Sequence, residues 1–413
     1  VTLYREGFPR SLPTLTHRVD DAQVATGWGA VMPQSTVPEA RFSDRPLLVF
    51  WEMTKACPLT CFHCRANAQL VGDPDELSTS EGRQLIDELA AWGRPRPILI
   101  LTGGDCLMRD DIVALARYAH ERTVPVAIAP SVSPRLTKAT LLELRDAGVS
   151  SASLSLDGAL AATHDNVRGI PGHFARTLDA IDLLKSCGFS VQINTTVMPT
   201  NVRELADVAA LLHDHAVDVW EVFFLITTGR GSDVVATTAD ENEDVCHFLV
   251  DASRYGFTVR TVEAPFFRRV ARDRRLGLPS PPSPLYEELR DRLVELLGPA
   301  SAPVRAPSAA TRDGKGIIFV AANGDVYPSG FLPVQLGNVR SAGLASVYRE
   351  HGLLRDIRDA TFSGPCGCCE LSDHCGGSRS RAFAYYDDAL ASDPGCVLVH
   401  TDRSDSLTTT SPT

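Results

Sequence analysis

From about residue 47 to residue 230, short apolar runs alternate with stretches whose apolar residues recur every three to four positions. The runs are "LLVFWEMT" (47–54), "PILILT" (97–102), "PVAIAP" (125–130), "SASLSL" (151–156), "SVQINTTV" (190–197) and "DVWEVFFLI" (218–226). Their length and β-rich content predict strands buried on both faces, as in a parallel sheet. The intervening stretches predict helices. One begins at Ser78, with Glu81 completing a capping box and Leu85, Ile86 and Leu89 on one face. Another runs from about Phe174 to Ser186, with Leu178, Ile181 and Leu184 at helical spacing and Gly188 as its stop. Six such units predict an α/β fold, a partial (β/α)6 TIM-like barrel whose chemistry lies at the C-terminal ends of the strands.

Beyond residue 230 the pattern changes to a helix over about 239–254, a strand near 257–262, a helix over about 285–297 and the linker "GPASAPVRAPSAATRDG". Then "GIIFVAANGDVYPSG" predicts a hairpin turned at Asn323-Gly324, which places a small α+β unit at the C-terminal end. The expected organisation is an N-terminal extension (1–44), a barrel core (45–230), a mixed extension and linker (231–300), the α+β unit (301–400) and a disordered tail (401–413).

The 413 residues carry a formal net charge of −11, so the chain has no electrostatic reason to follow a phosphate backbone, and nucleic acid is not an expected partner. No apolar stretch is long enough to cross a bilayer and "VTLYREGFPRSLP" lacks a signal-peptide core, so the expected location is cytoplasmic. In a reducing compartment eleven cysteines point to metal or redox chemistry rather than disulfides.

Cysteine placement sharpens this. "ACPLTCFHCRA" puts Cys57, Cys61 and Cys64 in a C-x3-C-x2-C array directly after the first strand. Zinc would ask for a fourth ligand, and His63, flanked by the array, is badly placed to be one. Three thiolates can instead hold three irons of a [4Fe–4S] cluster and leave the fourth iron open to an exogenous ligand.

An array of this spacing, on the first loop of a βα series, resembles the radical S-adenosylmethionine (SAM) superfamily. The resemblance implies that the open iron chelates the methionyl part of SAM and that one electron cleaves the sulfonium to a 5′-deoxyadenosyl radical. "LTGGDCL" is similar to the motif that holds the SAM amino group, here Gly103, Gly104 and Asp105. "SLDGALAATHDNVRG" resembles the carboxylate-binding segment, through Ser155 and Arg168. Asn194 would reach the ribose, His63 would pack near the adenine, and "FFLITTGRG", with Leu225, would line the adenine pocket. Where the family usually has Pro after the acidic residue, this chain has Cys106, either a small apolar filler or a hydrogen-atom donor to a substrate radical. His164 and Asp165 are expected to organise the Arg168 loop. Glu263, Arg268 and Arg269 read as a solvated loop, with the cavity mouth as the alternative.

The second group, Cys366, Cys369 and Cys375 with Cys396 as a fourth, resembles the SPASM/twitch extension, most closely that of the haem-biosynthesis-like branch. "WEMTKAC" and "HCRA" point to the same branch. The resemblance implies one auxiliary [4Fe–4S] cluster with Cys368 spare, Ser329 standing where larger SPASM domains carry a further cysteine. A four-cysteine zinc site is the competing reading. The branch implies a small-molecule substrate, a tetrapyrrole whose side chain is oxidatively decarboxylated or otherwise modified. Oxidation or epimerisation of a sugar or antibiotic precursor is an alternative within that class. Flavodoxin or ferredoxin is the expected electron donor. Maturation of a ribosomal peptide is the second reading, disfavoured by the few residues ahead of the first strand, which leave no room for a leader-binding domain.

Overall fold

The computed structural model of the chain describes residues 40–278 and 283–399. The predicted tail and most of the N-terminal extension lie outside these residues. All six predicted strands form: β1 (Leu48–Glu52), β2 (Ile98–Thr102), β3 (Val126–Ile128), β4 (Ser151–Ser155), β5 (Ser190–Val197) and β6 (Val219–Phe224). They lie in one sheet, each parallel to the next, as the helical crossovers between them require.

The sheet does not stop there. Strand β7 (Thr258–Val262), read from sequence as part of the extension, pairs in parallel with β6 through Val219↔Thr258. Strand β8 (Ile317–Val320) pairs in parallel with β1 through Leu48↔Ile317 and antiparallel with β9 (Asp325–Tyr327), which carries the two-residue β10 (Gly337–Asn338). The result is ten strands in the order β10-β9-β8-β1-β2-β3-β4-β5-β6-β7. Left uncovered, the apolar edge of β1 would be a template for unwanted pairing, and β8 fills it. The hairpin turns at Gly324, whose φ of +85° a side chain would resist.

The two faces of the sheet are filled differently. Val49, Trp51, Leu99 and Leu101 point outward into the main core against the helices. Leu48, Phe50, Ile98 and Ile100 alternate with them and form a small inner cluster with Ala127 and Val219. Helix Thr79–Ala91 starts as its sequence predicts: the Ser78 hydroxyl accepts the Glu81 N–H at 3.3 Å, and the Glu81 carboxylate accepts the Ser78 N–H at 2.8 Å. Leu85, Ile86 and Leu89 are its buried face. None of the described helices is long and apolar enough to cross a membrane.

Candidate active site

The loop that leaves β1 is stitched to the loop that leaves β2. Gly104 N–H donates to the Thr54 carbonyl at 2.8 Å, and Asp105 N–H to the Ala56 carbonyl at 2.7 Å. A Cβ on Gly103 would sit 2.5 Å from the Thr54 carbonyl oxygen, and one on Gly104 2.5 Å from that of Ala56. The glycine pair therefore lets two backbones touch, and this contact fixes the root of the cysteine loop.

Cys57 and Cys61 are buried and Cys64 is half-buried, and all three line one cavity of about 380 Å³. The same cavity is lined by His63, Gly103, Gly104, Ser155, Arg168 and Asn194. Each of two thiols has donors close by. Leu59 N–H reaches Cys57 Sγ at 3.4 Å and Arg168 Nη1 reaches Cys61 Sγ at 3.8 Å. Burial pushes the Cys57 thiol up, so a buried thiolate here needs a metal to hold it. Among the described residues, no group of three or more His, Cys, Asp or Glu side chains converges on a position for one metal ion. A cubane asks for something else, since it spreads three thiolates over three irons and takes hydrogen bonds at sulfur. The residues present fit such a cluster.

Arg168 is held by a residue that sequence reasoning left without a role. Asp157 is fully buried, accepts the guanidinium of Arg168 and the Thr196 N–H (2.8 Å), and lies 3.7 Å from His63 Nε2. Burial works against its charge, but Arg168 and His63 hold its carboxyl below the usual range. His63, pressed down to about 4 by burial, is neutral, and its Nδ1 lacks a hydrogen-bond partner. Arg168 Nε is likewise unpartnered, so both carry spare capacity at the cavity wall. His164 and Asp165 shape this loop. His164 Nδ1 accepts the Asp157 N–H at 3.0 Å and its Nε2 meets His173 Nδ1 at 2.9 Å, while Asp165 accepts the Phe174 N–H at 2.7 Å.

Three expected site residues are not brought to the cavity. The Asp105 carboxylate is buried and serves Leu107 N–H (3.1 Å), Ser131 N–H (3.2 Å) and the Ser133 hydroxyl (2.6 Å), so it fastens the loop after β3 instead of facing a ligand. Leu225 packs in an apolar cluster with Val167 and Met198 behind the cavity wall. Cys106 is fully buried in the main core, and burial raises its thiol well above the usual range. A group sealed among core side chains meets no substrate, which corrects the hydrogen-donor reading and leaves the apolar filler.

The far half of the cavity comes from segments read as extension and solvated loop. Glu263 is buried and lines it, as do Arg260, Arg268, Arg312 and Asp313. Burial, together with neighbouring Asp313, pushes the Glu263 carboxyl well above the usual range, and burial alone raises Glu221 on β6. Arg269 turns away to pair with Glu243. A mixed run of charges gave no sign of direction in the sequence; the parallel pairing of β7 aims it inward.

Gly377 and Ser378 line this half of the cavity and follow directly on the C-terminal cysteine run. Cys366 Sγ accepts the Asp393 N–H at 3.4 Å and Cys369 Sγ accepts the Leu371 N–H at 3.4 Å, while Cys375 and Cys396 pack on the main core. Cys375 lies within electrostatic reach of Cys366 on one side and of Cys396 on the other. Cys368 is exposed. Cys246, remote in sequence, lies on helix Ala239–Ala252 within electrostatic reach of Cys375 and Cys396.

A three-cysteine loop opening on a cavity at the C-terminal mouth of a parallel sheet is the arrangement of an enzyme that keeps one iron of a cubane free, and the chain belongs to the radical SAM superfamily. Residues 51–212 match the model of that superfamily. The chain therefore works with SAM and a [4Fe–4S] cluster. It is 34% identical to the AdoMet-dependent heme synthase of Methanosarcina barkeri over 86% of this chain and 97% of that protein. It is 29% identical to the mycofactocin maturase of Mycobacterium tuberculosis over 87% of this chain and 85% of that one. Among solved structures it resembles SuiB of Streptococcus suis, with a TM-score of 0.61 at 15% identity, covering 86% and 77% of the two chains.

Proposed function

We propose that this enzyme removes or modifies a propionate side chain of a tetrapyrrole, by hydrogen abstraction followed by loss of carbon dioxide. The observation that carries the reading is the sign of the cavity wall in a protein of net charge −11. Arg65, Arg230, Arg260, Arg268 and Arg312 line it against Glu221, Glu263 and Asp313, two of which burial drives toward their neutral forms. Such a wall suits a ligand with several carboxylates. Phe223 and Phe331, with ring centroids 6.1 Å apart, add apolar surface for a flat macrocycle. Similarity to a heme synthase over nearly its whole length supports the same substrate class.

Cys57, Cys61 and Cys64 would hold the cluster that, when SAM is bound, supplies the electron for sulfonium cleavage. Arg168, kept charged and aimed by Asp157, would take the SAM carboxylate together with Ser155. Asn194, whose Oδ1 accepts from Gln192 Nε2 at 2.8 Å, would present its amide nitrogen to the ribose. His63, neutral and edge-on to Phe62 at 5.8 Å, would flank the adenine. Cys366, Cys369, Cys375 and Cys396 would hold an auxiliary [4Fe–4S] centre able to accept one electron as the substrate radical loses carbon dioxide. Flavodoxin or ferredoxin is the donor class for the first cluster.

The test is anaerobic incubation of reconstituted enzyme with SAM, reductant and a propionate-bearing porphyrin, with and without iron, deuterated on the propionates. Deuterium in 5′-deoxyadenosine and release of carbon dioxide are expected. SAM cleavage that no porphyrin accelerates or labels would overturn the substrate assignment. Similarity to a maturase favours keeping the second reading, maturation of a ribosomal peptide, and a precursor peptide belongs in the same assay.

A further inference from the structure

Three guanidinium groups surround the C-terminal cysteines, and none has a carboxylate within ion-pair distance among the described residues. Arg312, 5% exposed, donates to the carbonyls of Asp373 (2.7 Å), Cys375 (3.4 Å) and Ile357 (2.8 Å). Arg379, fully buried, donates to those of Gly377 (3.3 Å), Ala389 (3.0 Å) and Ala391 (2.7 Å). Arg268, partly buried, donates to those of His374 (2.7 Å) and Thr311. Of the other charges nearby, Lys315 pairs with Asp373, Arg381 with Asp393 and Arg269 with Glu243, while Glu263 and Asp313 accept hydrogen bonds from Ser378 and Ser380. Two buried cations and a partly buried third, with only carbonyl partners, are costly unless an anion completes them.

The fold makes room for this crowding. Gly376 and Gly377, directly after Cys375, adopt φ of +68° and +65°. A Cβ on Gly376 would meet Arg312 Cζ at 2.8 Å, and one on Gly377 would meet both Arg379 Nη2 at 2.7 Å and Cys366 Sγ at 3.3 Å. Arg379 Nη2 and Arg312 Nε have no hydrogen-bond partner, and Arg379 Nη2 and the Cys366 sulfur flank the same space beside Gly377. Both guanidinium groups stack on Phe362, with Cζ 4.2 Å and 5.2 Å from its centroid.

We infer that Arg268, Arg312 and Arg379 form a cationic cradle for the C-terminal thiolate centre, raising its reduction potential so that it acts as an electron acceptor facing the cavity. The inference rests on the auxiliary-centre reading above. Net local charge and hydrogen bonds at sulfur are among the levers that set the potential of an iron–sulfur group, and here both push toward stabilising the reduced, more negative state. Arg268 and Arg312 also line the cavity, so the cradle stands between substrate and centre. In the proposed reaction the carbon radical beside an ionised propionate carboxylate would become an alkene as carbon dioxide leaves, and this centre would supply the acceptor for the one electron released; no proton is exchanged.

The experiment uses the full chain carrying Cys57→Ala, Cys61→Ala and Cys64→Ala, so that only the C-terminal centre remains. Iron is quantified, and the midpoint is followed by EPR-monitored redox titration. About four irons per chain are expected. Arg312→Gln should keep them and lower the reduction equilibrium constant at least tenfold, about 59 mV for one electron. Arg312→Lys, which keeps the charge, should restore most of the shift. Should Arg312→Gln fail to fold, Arg268→Gln, which is partly exposed and makes only two carbonyl bonds, carries the same expectation. Full iron with an unchanged midpoint in either variant overturns the cradle. Absence of iron from the three-alanine parent overturns the auxiliary centre, and the cradle with it.

Discussion

A buried ion pair is most informative about what happens when half of it is removed. Arg168→Gln leaves the Asp157 carboxylate without its cation at the base of the cavity, and breaking such a pair costs about 3–5 kcal/mol. The expected outcome is a lower melting temperature together with loss of SAM binding in equilibrium dialysis. Cys106→Ala is the contrasting case. Its thiol touches only core, so SAM cleavage and product formation should stay within twofold of the parent, measured by single-turnover assay. Gly104→Ala drives a methyl group to within 2.5 Å of the Ala56 carbonyl and should cut iron loading at the N-terminal site, read by iron quantitation. At this scale the sequence was partly legible. Cysteine spacing announced the cluster loop because the chemistry needs three sulfurs on one short turn. It could not announce that Asp105 points into the protein or that Asp157 steers Arg168, since both depend on which loop lies alongside.

Helices and their connections carry the pH dependence. His164 and His173 join the helices Ala161–Arg168 and His173–Ser186, with Thr177 alongside and His173 Nε2 reaching the Val132 carbonyl at 3.2 Å. Burial lowers His164 to about 3 and His173 to about 4, with nearby Arg168 adding to both and Asp165 opposing. A folded pKa below the unfolded value of about 6.5 means the unfolded chain binds more protons below that pH. Stability is therefore complete above about pH 6.5 and falls by about 1.4 kcal/mol per pH unit per histidine as pH drops toward 4. Denaturant titrations at pH 7.5, 6 and 5 should show this slope, and His173→Phe should reduce it. The elements themselves were readable. Continuous apolar runs gave β1 to β6, and Ser78 with Glu81 marked a helix start that forms as written. Strand β7 was also seen, but nothing local in "FTVRTV" says which edge it joins.

For the whole molecule, the pairing of β8 with β1 makes the C-terminal segment part of the sheet rather than an attachment to it. A chain cut after residue 300 would expose the edge of β1, and it should aggregate or elute as a broad high-mass species in size-exclusion chromatography. Recovery of a compact, SAM-binding fragment would contradict this. Here the sequence was silent for a plain reason. The linker looks like a boundary because composition reports local flexibility, whereas strand pairing over such a span is decided by which edge is left open.

The same pairing bears on how the protein is made. Strand β1 leaves the ribosome with its flanking neighbour still roughly 270 residues from synthesis, a wait of tens of seconds at about 5–20 residues per second. During that wait the loop bearing Cys57, Cys61 and Cys64 hangs from an unfinished edge. Gly103, Ser155, Arg168 and Asn194 already stand beside those thiols by then, but Arg312, Asp313, Phe319 and Phe331 of the far wall do not, so the cavity closes only when the C-terminal strands have been laid down.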